Sequence, residues 1–230
     1  MEKRIDWKIE KLKSETGLNQ FVWNLRYRKV NVTKGAQVWG FTGGQMAVPG
    51  TYKVKLSRGD WEDSREITVM GDPRIDTTQR EYESQFELAR NIKYSLDEIY
   101  ETLRELRSVR DQVNRISQAA EKAEVDLKTG ELKKGIIEKL KTVEEKLIQT
   151  KNESGQDPLN FPPKLDNQFA YLYGYVAGGN EAPTEGAEKR LSDLQKEWEN
   201  IAEEYRLIID IQVKKFSKAI EGAGLPRIIF

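Results

Sequence analysis

The chain has 230 residues, with 38 basic and 38 acidic side chains, and it contains neither histidine nor cysteine. Hydrophobic residues make up 37% and charged residues 33%, which favours long solvated helices over a thick compact core. The absence of His and Cys excludes Ser-His-Asp and Cys-His catalysis, Cys/His zinc sites, disulfides and thiol redox chemistry. Any catalysis would need carboxylates, Lys, Tyr or a metal with oxygen ligands, and we expect no cofactor.

The balance of charge bears on the binding partners of the protein. The first 73 residues carry 13 basic and 9 acidic side chains, and the rest of the chain carries 25 and 29. Neither part has the large positive net charge that would attract nucleic acid or an anionic membrane surface. No stretch reaches the roughly 18 uninterrupted apolar residues of a membrane span. We therefore expect neither nucleic-acid binding nor membrane insertion, and the sequence leaves the localisation of this chain open.

Residues 1 to 73 alternate between apolar and polar side chains with a period of two, which indicates β-strands. The apolar positions of the candidate strands are Ile5, Trp7 and Ile9, then Phe21, Trp23, Leu25 and Tyr27, then Tyr52, Val54 and Leu56, and finally Ile67 and Val69. Arg58-Gly59-Asp60 spells an integrin-type tripeptide, but it fits a hairpin turn better. The pattern predicts a small antiparallel β-sandwich of the immunoglobulin or fibronectin III type over residues 1–73.

After Pro73 the apolar period changes to about 3.6, which indicates helices in residues 74–230. Thr78 and Glu81 have the spacing of a capping box, at the start of a helix that we expect to reach residue 123. Shorter helices are predicted over 131–152 and 163–177, and a last long helix over 183–222. The two short helices reach the length of a long helix only when they are placed end to end. We therefore favour an elongated antiparallel three-helix bundle with a broken middle helix. A four-helix bundle is the alternative.

The segment from Thr150 to Gln168 is the most unusual part of the helical region. It contains several amides, one glycine and three prolines, so it must break the helix and supply side-chain caps. A structural joint is the main interpretation. The alternative is contact with a partner domain, through Asn160, Asp166, Asn167 and Gln168. The three tyrosines that follow fall on more than one face of a helix, so we expect at least one to be exposed.

The tryptophans suggest a different kind of site. Four of the five lie in the first 73 residues, and flat aromatic rings with nearby amides suit the stacking of a sugar ring. Trp39 and Trp61 are the candidates because they lie beside Gly-rich turns. Trp23 lies within a predicted strand, where we expect it to pack in the core.

Paired carboxylates are the one catalytic system that this composition still allows. Glycoside hydrolases use two of them, about 5 to 10 Å apart. Such pairs occur in highly charged segments, where a solvated surface explains them: Glu144 and Glu145, Glu203 and Glu204, and the group Asp60, Glu62 and Asp63. A general acid also needs a desolvated pocket that raises its pKa, and no pattern in the sequence indicates one.

Several segments resemble the C-terminal region of large bacterial BNR-repeat or sortilin-like β-propeller proteins that are described as glycosyl hydrolases. They read GLNQFVWNLRY at 17–27, VPGTYKV at 48–54, DPR at 72–74, SGQDPLNFP at 154–162 and APT at 182–184. In that family the catalytic or ligand-binding residues belong to propeller blades with motifs of the form SxDxGxxxW, and this chain has no such motif. The resemblance therefore implies an accessory region without catalytic residues, an upstream β-propeller as its partner, and a parent protein exported to the periplasm or the extracellular space.

We therefore predict a non-catalytic accessory module with no cofactor or metal site. In this hypothesis the helices hold a surface at a fixed distance, and the sandwich docks to the neighbouring β-propeller or to substrate. Two alternatives stay open. One is a carbohydrate-binding module that uses exposed Trp39 or Trp61, and the other is a glycoside hydrolase that uses paired carboxylates.

Overall fold

The computed structural model of the protein consists mainly of helices, with one β-hairpin near the N-terminal end. The residues that the structure describes are 12, 14–125, 128–222, 226, 228 and 229. The strands are β1 (Gly50–Arg58) and β2 (Trp61–Val69). The helices are α1 (Gln79–Lys122), α2 (Gly130–Leu147), α3 (Leu165–Ala177), α4 (Glu185–Leu207) and α5 (Lys214–Gly222). A π-helical segment, Ile208–Val213, joins α4 to α5 without a break. Among the described residues, no helix is both long enough and apolar enough to cross a lipid bilayer.

The long helix α1 forms because its apolar residues recur every three or four positions and because its first turn is capped. The Thr78 side chain accepts a hydrogen bond from the Glu81 backbone, and the Glu81 carboxylate accepts one from the Thr78 backbone. The predicted capping box is therefore confirmed. The apolar stripe is buried along the helix, from Phe86 at 4% exposure to Ala120 at 2%.

The other helices pack along α1. Lys133 near the start of α2 pairs with Glu121 near the end of α1, and Gln85 near the start of α1 donates to the carbonyl of Val176 at the end of α3. Hence α2 and then α3 lie one after the other along α1, and both run antiparallel to it. α4 runs in the same direction as α1. Trp198 donates to Glu98, and Glu204, further along α4, pairs with Lys146 of α2, beside the Glu144 that pairs with Arg107, further along α1. α2 ends at Leu147 and not at 152, because the backbone of Ile148 is extended.

The β-sandwich prediction is wrong. The described residues contain a single sheet, in which β1 and β2 pair as an antiparallel hairpin. The candidate strand with Phe21 is absent: Leu25 adopts a positive φ of 59°, and a lone bridge between Arg26 and Met46 is the only pairing near it. The candidate strand with Trp7 lies outside the described residues. The alternation does not form a strand here because the described residues contain no second sheet to cover it: Phe21 stays 59% exposed, and Tyr27 packs against Phe86 of α1.

Residues 26–48, which we call the strap, cross the helices as an irregular segment. Val30 is 2% exposed and belongs to the same hydrophobic core as the buried residues of α1 and α3. Arg104 and Arg107 of α1 donate to the carbonyls of Asn31 and Lys34. Phe41 donates its backbone N–H to the carbonyl of Ala170 in α3. The boundary predicted at residue 73 is not tested by these contacts and stays a prediction.

Small residues allow the strap to lie directly on α3. A Cβ atom at Gly40 would lie 2.7 Å from the Cβ of Ala170, and one at Gly174 would lie 3.0 Å from the Cβ of Phe41. Real Cβ atoms do not approach side chains or backbone this closely without displacement, so the packing requires glycine. The strap therefore fits a shallow surface of α3 that larger residues would fill.

An aromatic cluster attaches the hairpin to the start of α1. Tyr52 of β1 packs edge-on against Trp23, with ring centroids 5.4 Å apart, and Tyr27 packs against Phe86 of α1 at 4.8 Å. Burial, with a smaller contribution from the neighbouring Tyr52, raises the pKa of Tyr27 to about 12. The predicted turn at Arg58-Gly59-Asp60 is confirmed, since Arg58 ends β1 and Gly59 has a positive φ of 57°.

Candidate functional site

The first candidate site is one face of the hairpin. Because residues paired across an antiparallel sheet point to the same side, Tyr52, Val54 and Leu56 of β1 share a face with Trp61 and Ile67 of β2. We call these five residues the hairpin apolar face. The opposite face is entirely polar, and its residues are Thr51, Lys53, Lys55, Ser57, Glu62, Ser64, Glu66 and Thr68.

The hairpin apolar face is covered at its base and open toward its tip. Val69, opposite Gly50 at the base, is 9% exposed, whereas Val54 and Leu56 are each 49% exposed and Trp61 is 55% exposed. The sequence candidate Trp61 therefore lies on an open apolar surface that continues outward from the aromatic cluster. In the described part of the chain, no further strand pairs with the outer edge of β1 or of β2. Both edges therefore present unpaired backbone N–H and C=O groups to which a strand of a partner can bind.

The second candidate site is a cleft where the strap meets the joint between α2 and α3. Trp39 of the strap, Phe161 and Pro158 of the joint and Tyr171 of α3 contribute its aromatic and apolar walls. Lys151 lies over the ring of Phe161, with its ammonium 5.9 Å from the ring centroid. Of the tyrosines in α3, Tyr171 and Tyr175 are exposed and Tyr173 is buried, which confirms the expectation that at least one would be exposed.

The predicted site residues Asp166 and Asn167 lie at the start of α3, and they contact the chain's own strap. Asn167 accepts a hydrogen bond of 2.7 Å from the backbone N–H of Trp39 and donates to the carbonyl of Gln37. Asp166 accepts from Asn167 and from the hydroxyl of Tyr100 in α1. The structure therefore brings Trp39, Asp166 and Asn167 together, in a network that joins the strap, α1 and α3.

The other predicted contact residues lie at the edge of this network. Gln168 is partly buried and accepts a hydrogen bond from Arg190 of α4. Asn160 is exposed, and its backbone N–H closes the short 3-10 turn by donating to the carbonyl of Asp157. Hydrogen bonds from the backbone of Ser154 and Glu153 lower the pKa of the Asp157 carboxyl. The joint is thus held by its own side-chain-to-backbone hydrogen bonds, but the predicted helix caps are absent: neither the 3-10 turn nor α3 has a side-chain cap at its first turn.

Asp166 is the acidic group with a raised pKa among the described residues. Burial raises its pKa from 3.8 to about 6, and the hydrogen bonds from Asn167 and Tyr100 oppose this shift. A raised carboxyl pKa is typical of catalytic acids, but it also occurs in structural networks. Asp166 is 0% exposed and both of its oxygens accept hydrogen bonds from the chain itself, so no substrate can reach it. The glycoside hydrolase alternative gains no support from Asp166 and stays a prediction.

No family model, curated protein or solved structure compared with the chain matches it. The resemblance to the C-terminal region of BNR-repeat proteins therefore stays a hypothesis. In the part of the chain that the structure describes, no three acidic side chains converge in a way that could hold a metal ion.

Sequence reasoning missed several residues that form these sites. It treated Val54 and Leu56 as core residues, and the structure leaves them half exposed. It also passed over Tyr100, which follows Leu96 by four positions and so falls on the buried stripe of α1. Asn152 and Phe161 belong to the unusual joint segment, but nothing in their spacing predicts that Trp39 lies beside them.

Proposed function

We propose that the protein is a non-catalytic docking module that contacts a β-rich partner through the hairpin apolar face. The observation that carries this proposal is the half exposure of Val54, Leu56 and Trp61 on one face of a hairpin whose other face is polar. An isolated two-stranded hairpin has little stability in water, and contiguous exposed apolar patches on such elements usually mark interaction surfaces. Burial by a partner would stabilise both the hairpin and the complex.

The partner that we propose is a β-propeller of the BNR-repeat class, encoded with this chain or near it. The resemblance of the sequence to the C-terminal region of such proteins supports this choice. The geometry is compatible with it, because a β-rich surface can pack on the apolar face and extend the free strand edges through backbone hydrogen bonds. Asp63 and Arg65 lie on the same face and offer charges of both signs for specificity.

The helices serve as a rigid mount for the docking surface. The aromatic cluster ties Tyr52 of the hairpin to Phe86 of α1 through Tyr27, and Gln79 at the start of α1 donates to the carbonyl of Pro49 just before β1. The strap, which immediately precedes β1 in the sequence, is held to α1 and α3 by hydrogen bonds. The hairpin therefore keeps a defined direction relative to the helices, which reduces the entropy lost on binding.

Calorimetric titration with a separately purified BNR-repeat β-propeller from the same genome tests this proposal. Val54→Glu places a charge on the hairpin apolar face opposite Arg65, which can pair with it, so the hairpin should still form. Thr51→Glu is the matched control, since it puts the same charge on the polar face of the same strand. We expect Val54→Glu to weaken the complex by about tenfold or more, and Thr51→Glu to leave its affinity unchanged.

Two results would count against the proposal. One is the lack of a complex at about 50 µM of each protein, and the other is an equal loss of affinity in both variants. The remaining possibility is that a second copy of the chain binds to the hairpin apolar face, and sedimentation of the isolated chain tests it. A concentration-dependent dimer that Val54→Glu abolishes and Thr51→Glu preserves would assign the face to self-association and refute the propeller as its partner.

A further inference from the structure

The outer edge of β1 is open in the described part of the chain. Eight of the nine residues of β1 are exposed, and Tyr52 alone is partly buried. No further strand among the described residues pairs with this edge. A two-stranded hairpin gains stability in water from a third strand that shares its apolar face. β1 therefore has both the backbone groups and the space to accept a third strand.

The hydrogen-bond pattern of the hairpin determines which backbone groups of β1 point outward. Arg58 and Trp61 flank a two-residue turn, and residues in that position exchange both of their backbone hydrogen bonds. Because such pairs alternate along an antiparallel ladder, the backbone N–H and C=O groups of the polar-face residues point away from the partner strand. These residues are Thr51, Lys53, Lys55 and Ser57 on β1, and Glu62, Ser64, Glu66 and Thr68 on β2.

The sequence of residues 1–11, which lie outside the described residues, has a pattern that fits this edge. Its apolar positions are Ile5, Trp7 and Ile9, and they alternate with Arg4, Asp6, Lys8 and Glu10. The same spacing of two occurs in β1 at Tyr52, Val54 and Leu56. When two such triplets lie side by side in a sheet, their aromatic and branched side chains form stabilising cross-strand pairs on one face.

We propose that residues 4–10 of this chain pair with the outer edge of β1 as a third strand, and that their apolar side chains extend the hairpin apolar face. β2 is the less suitable edge, because Asp63 and Arg65 interrupt its apolar residues on that face. This pairing does not depend on the proposed propeller partner, and it widens the surface to which that partner docks.

The length of the intervening chain is sufficient for this pairing. Trp23 packs against Tyr52 near the base of β1, with ring centroids 5.4 Å apart. The stretch from 11 to 22, which joins the proposed strand to Trp23, can span roughly 40 Å, whereas β1 is about 30 Å long. Residues 4–10 can therefore reach any part of the edge.

Hydrogen exchange of the isolated full chain, followed residue by residue by NMR, tests this inference. Each rate is compared with that of the same amide in an unstructured chain. We expect the outward amides of β1, at Thr51, Lys53, Lys55 and Ser57, to be protected at least about tenfold more than the outward amides of β2. Equal protection of the two edges would overturn the inference, and so would stronger protection of β2.

Trp7→Ser and Lys8→Ser form a matched pair of variants, since adjacent positions of an alternating strand lie on opposite faces. We expect Trp7→Ser to lower the protection at Lys53 and Lys55 by about tenfold, and Lys8→Ser to change it by less than about twofold. Equal effects of the two variants would contradict the pairing. The amide of Leu103 in α1, a residue with 0% exposure, should stay protected in both variants and so report that the helices remain folded.

A second copy of the chain is the other candidate for this edge. Dilution from about 500 µM to about 50 µM distinguishes the two, because pairing within one chain does not depend on concentration. Protection that falls on dilution would assign the edge to the second copy and overturn the inference. The measurement uses the isolated chain, so the lack of a propeller complex would not affect it, and either proposal can fail without the other.

Discussion

The hydroxyl of Tyr100 on α1 donates a hydrogen bond of 3.1 Å to Oδ2 of Asp166 on α3, and both side chains are 0% exposed. Asn167 donates to the other oxygen, Oδ1 of Asp166. Through the bond from Asn167 to Gln37 the same network reaches the strap. A single buried carboxylate therefore connects three parts of the chain, and its ionisation should affect their stability.

Replacing Asp166 with Asn should change the pH dependence of stability. Burial raises the pKa of Asp166 in the folded protein to about 6, above its unfolded value of 3.8. A raised pKa favours the folded state below pH 4, and this contribution is lost as the pH rises through 6. We expect Asp166→Asn to gain up to about 3 kcal/mol in unfolding free energy relative to the wild type between pH 4 and pH 7. Urea unfolding at several pH values measures this difference, and parallel curves would contradict the prediction.

Removal of the Tyr100 hydroxyl should destabilise the protein most where Asp166 is ionised. Tyr100→Phe removes the donor to Oδ2 and leaves that oxygen buried without a partner. We expect a loss of about 1 to 3 kcal/mol at pH 7 and a smaller loss at pH 4.5. In the Asp166→Asn background the same change should cost less, which a double-mutant cycle measures. Equal losses in both backgrounds would show that the two side chains are not coupled.

The contact between the strap and α3 should tolerate no side chain at Gly40. A Cβ there would lie 2.7 Å from the Cβ of Ala170, so either the strap or α3 must move. We expect Gly40→Ala to lower the unfolding free energy by about 1 to 3 kcal/mol. Gly130→Ala is the control, since a Cβ at the start of α2 meets no atom within 4 Å. Thermal unfolding measures both variants, and a Gly40→Ala protein as stable as the control would contradict the packing.

Glu144 of α2 should contribute more to stability than its neighbour Glu145. Glu144 is 6% exposed and forms ion pairs with Arg107 and Arg110 of α1, whose side chains are 26% and 27% exposed. We expect Glu144→Gln to cost about 2 kcal/mol, less than a fully buried pair because both Arg side chains keep contact with water. Glu145→Gln is the matched control, because the Glu145 side chain is 46% exposed and pairs within its own helix with Lys141 at 3.8 Å. Similar losses in urea unfolding would refute the prediction.

The helices could be predicted because their pattern is local. The apolar stripe of α1 and the capping pair Thr78 and Glu81 lie within a few residues of one another, and the structure forms them as the pattern indicates. The alternation of period two was a weaker guide. It predicts the paired strands around Gly59, but it also predicts a strand at Phe21 that does not form, because alternation does not say what will cover the apolar side.

The candidate site could be predicted only in part. The sequence indicates Trp39, Trp61, Asp166 and Asn167 as residues of interest, but it does not indicate that Trp39 and Asn167 bond across 128 positions of the chain. The alternative interpretation of this segment gives Asn167 an external partner, whereas in the structure Asn167 bonds the chain's own strap. Contacts over such distances depend on how the whole chain packs, so no spacing within a segment reveals them.

Residue order alone is enough to exclude imidazole and thiol chemistry and to place the long helices, since both follow from the identity and spacing of nearby side chains. The folded chain decides which apolar residues are covered. It buries Val30 of the strap against the helices and leaves Val54 and Leu56 of the hairpin open to water. The reason is that burial depends on surfaces brought together from distant parts of the chain. The same alternating pattern occurs in a strand whose apolar face is buried in the core and in one whose apolar face is exposed to solvent.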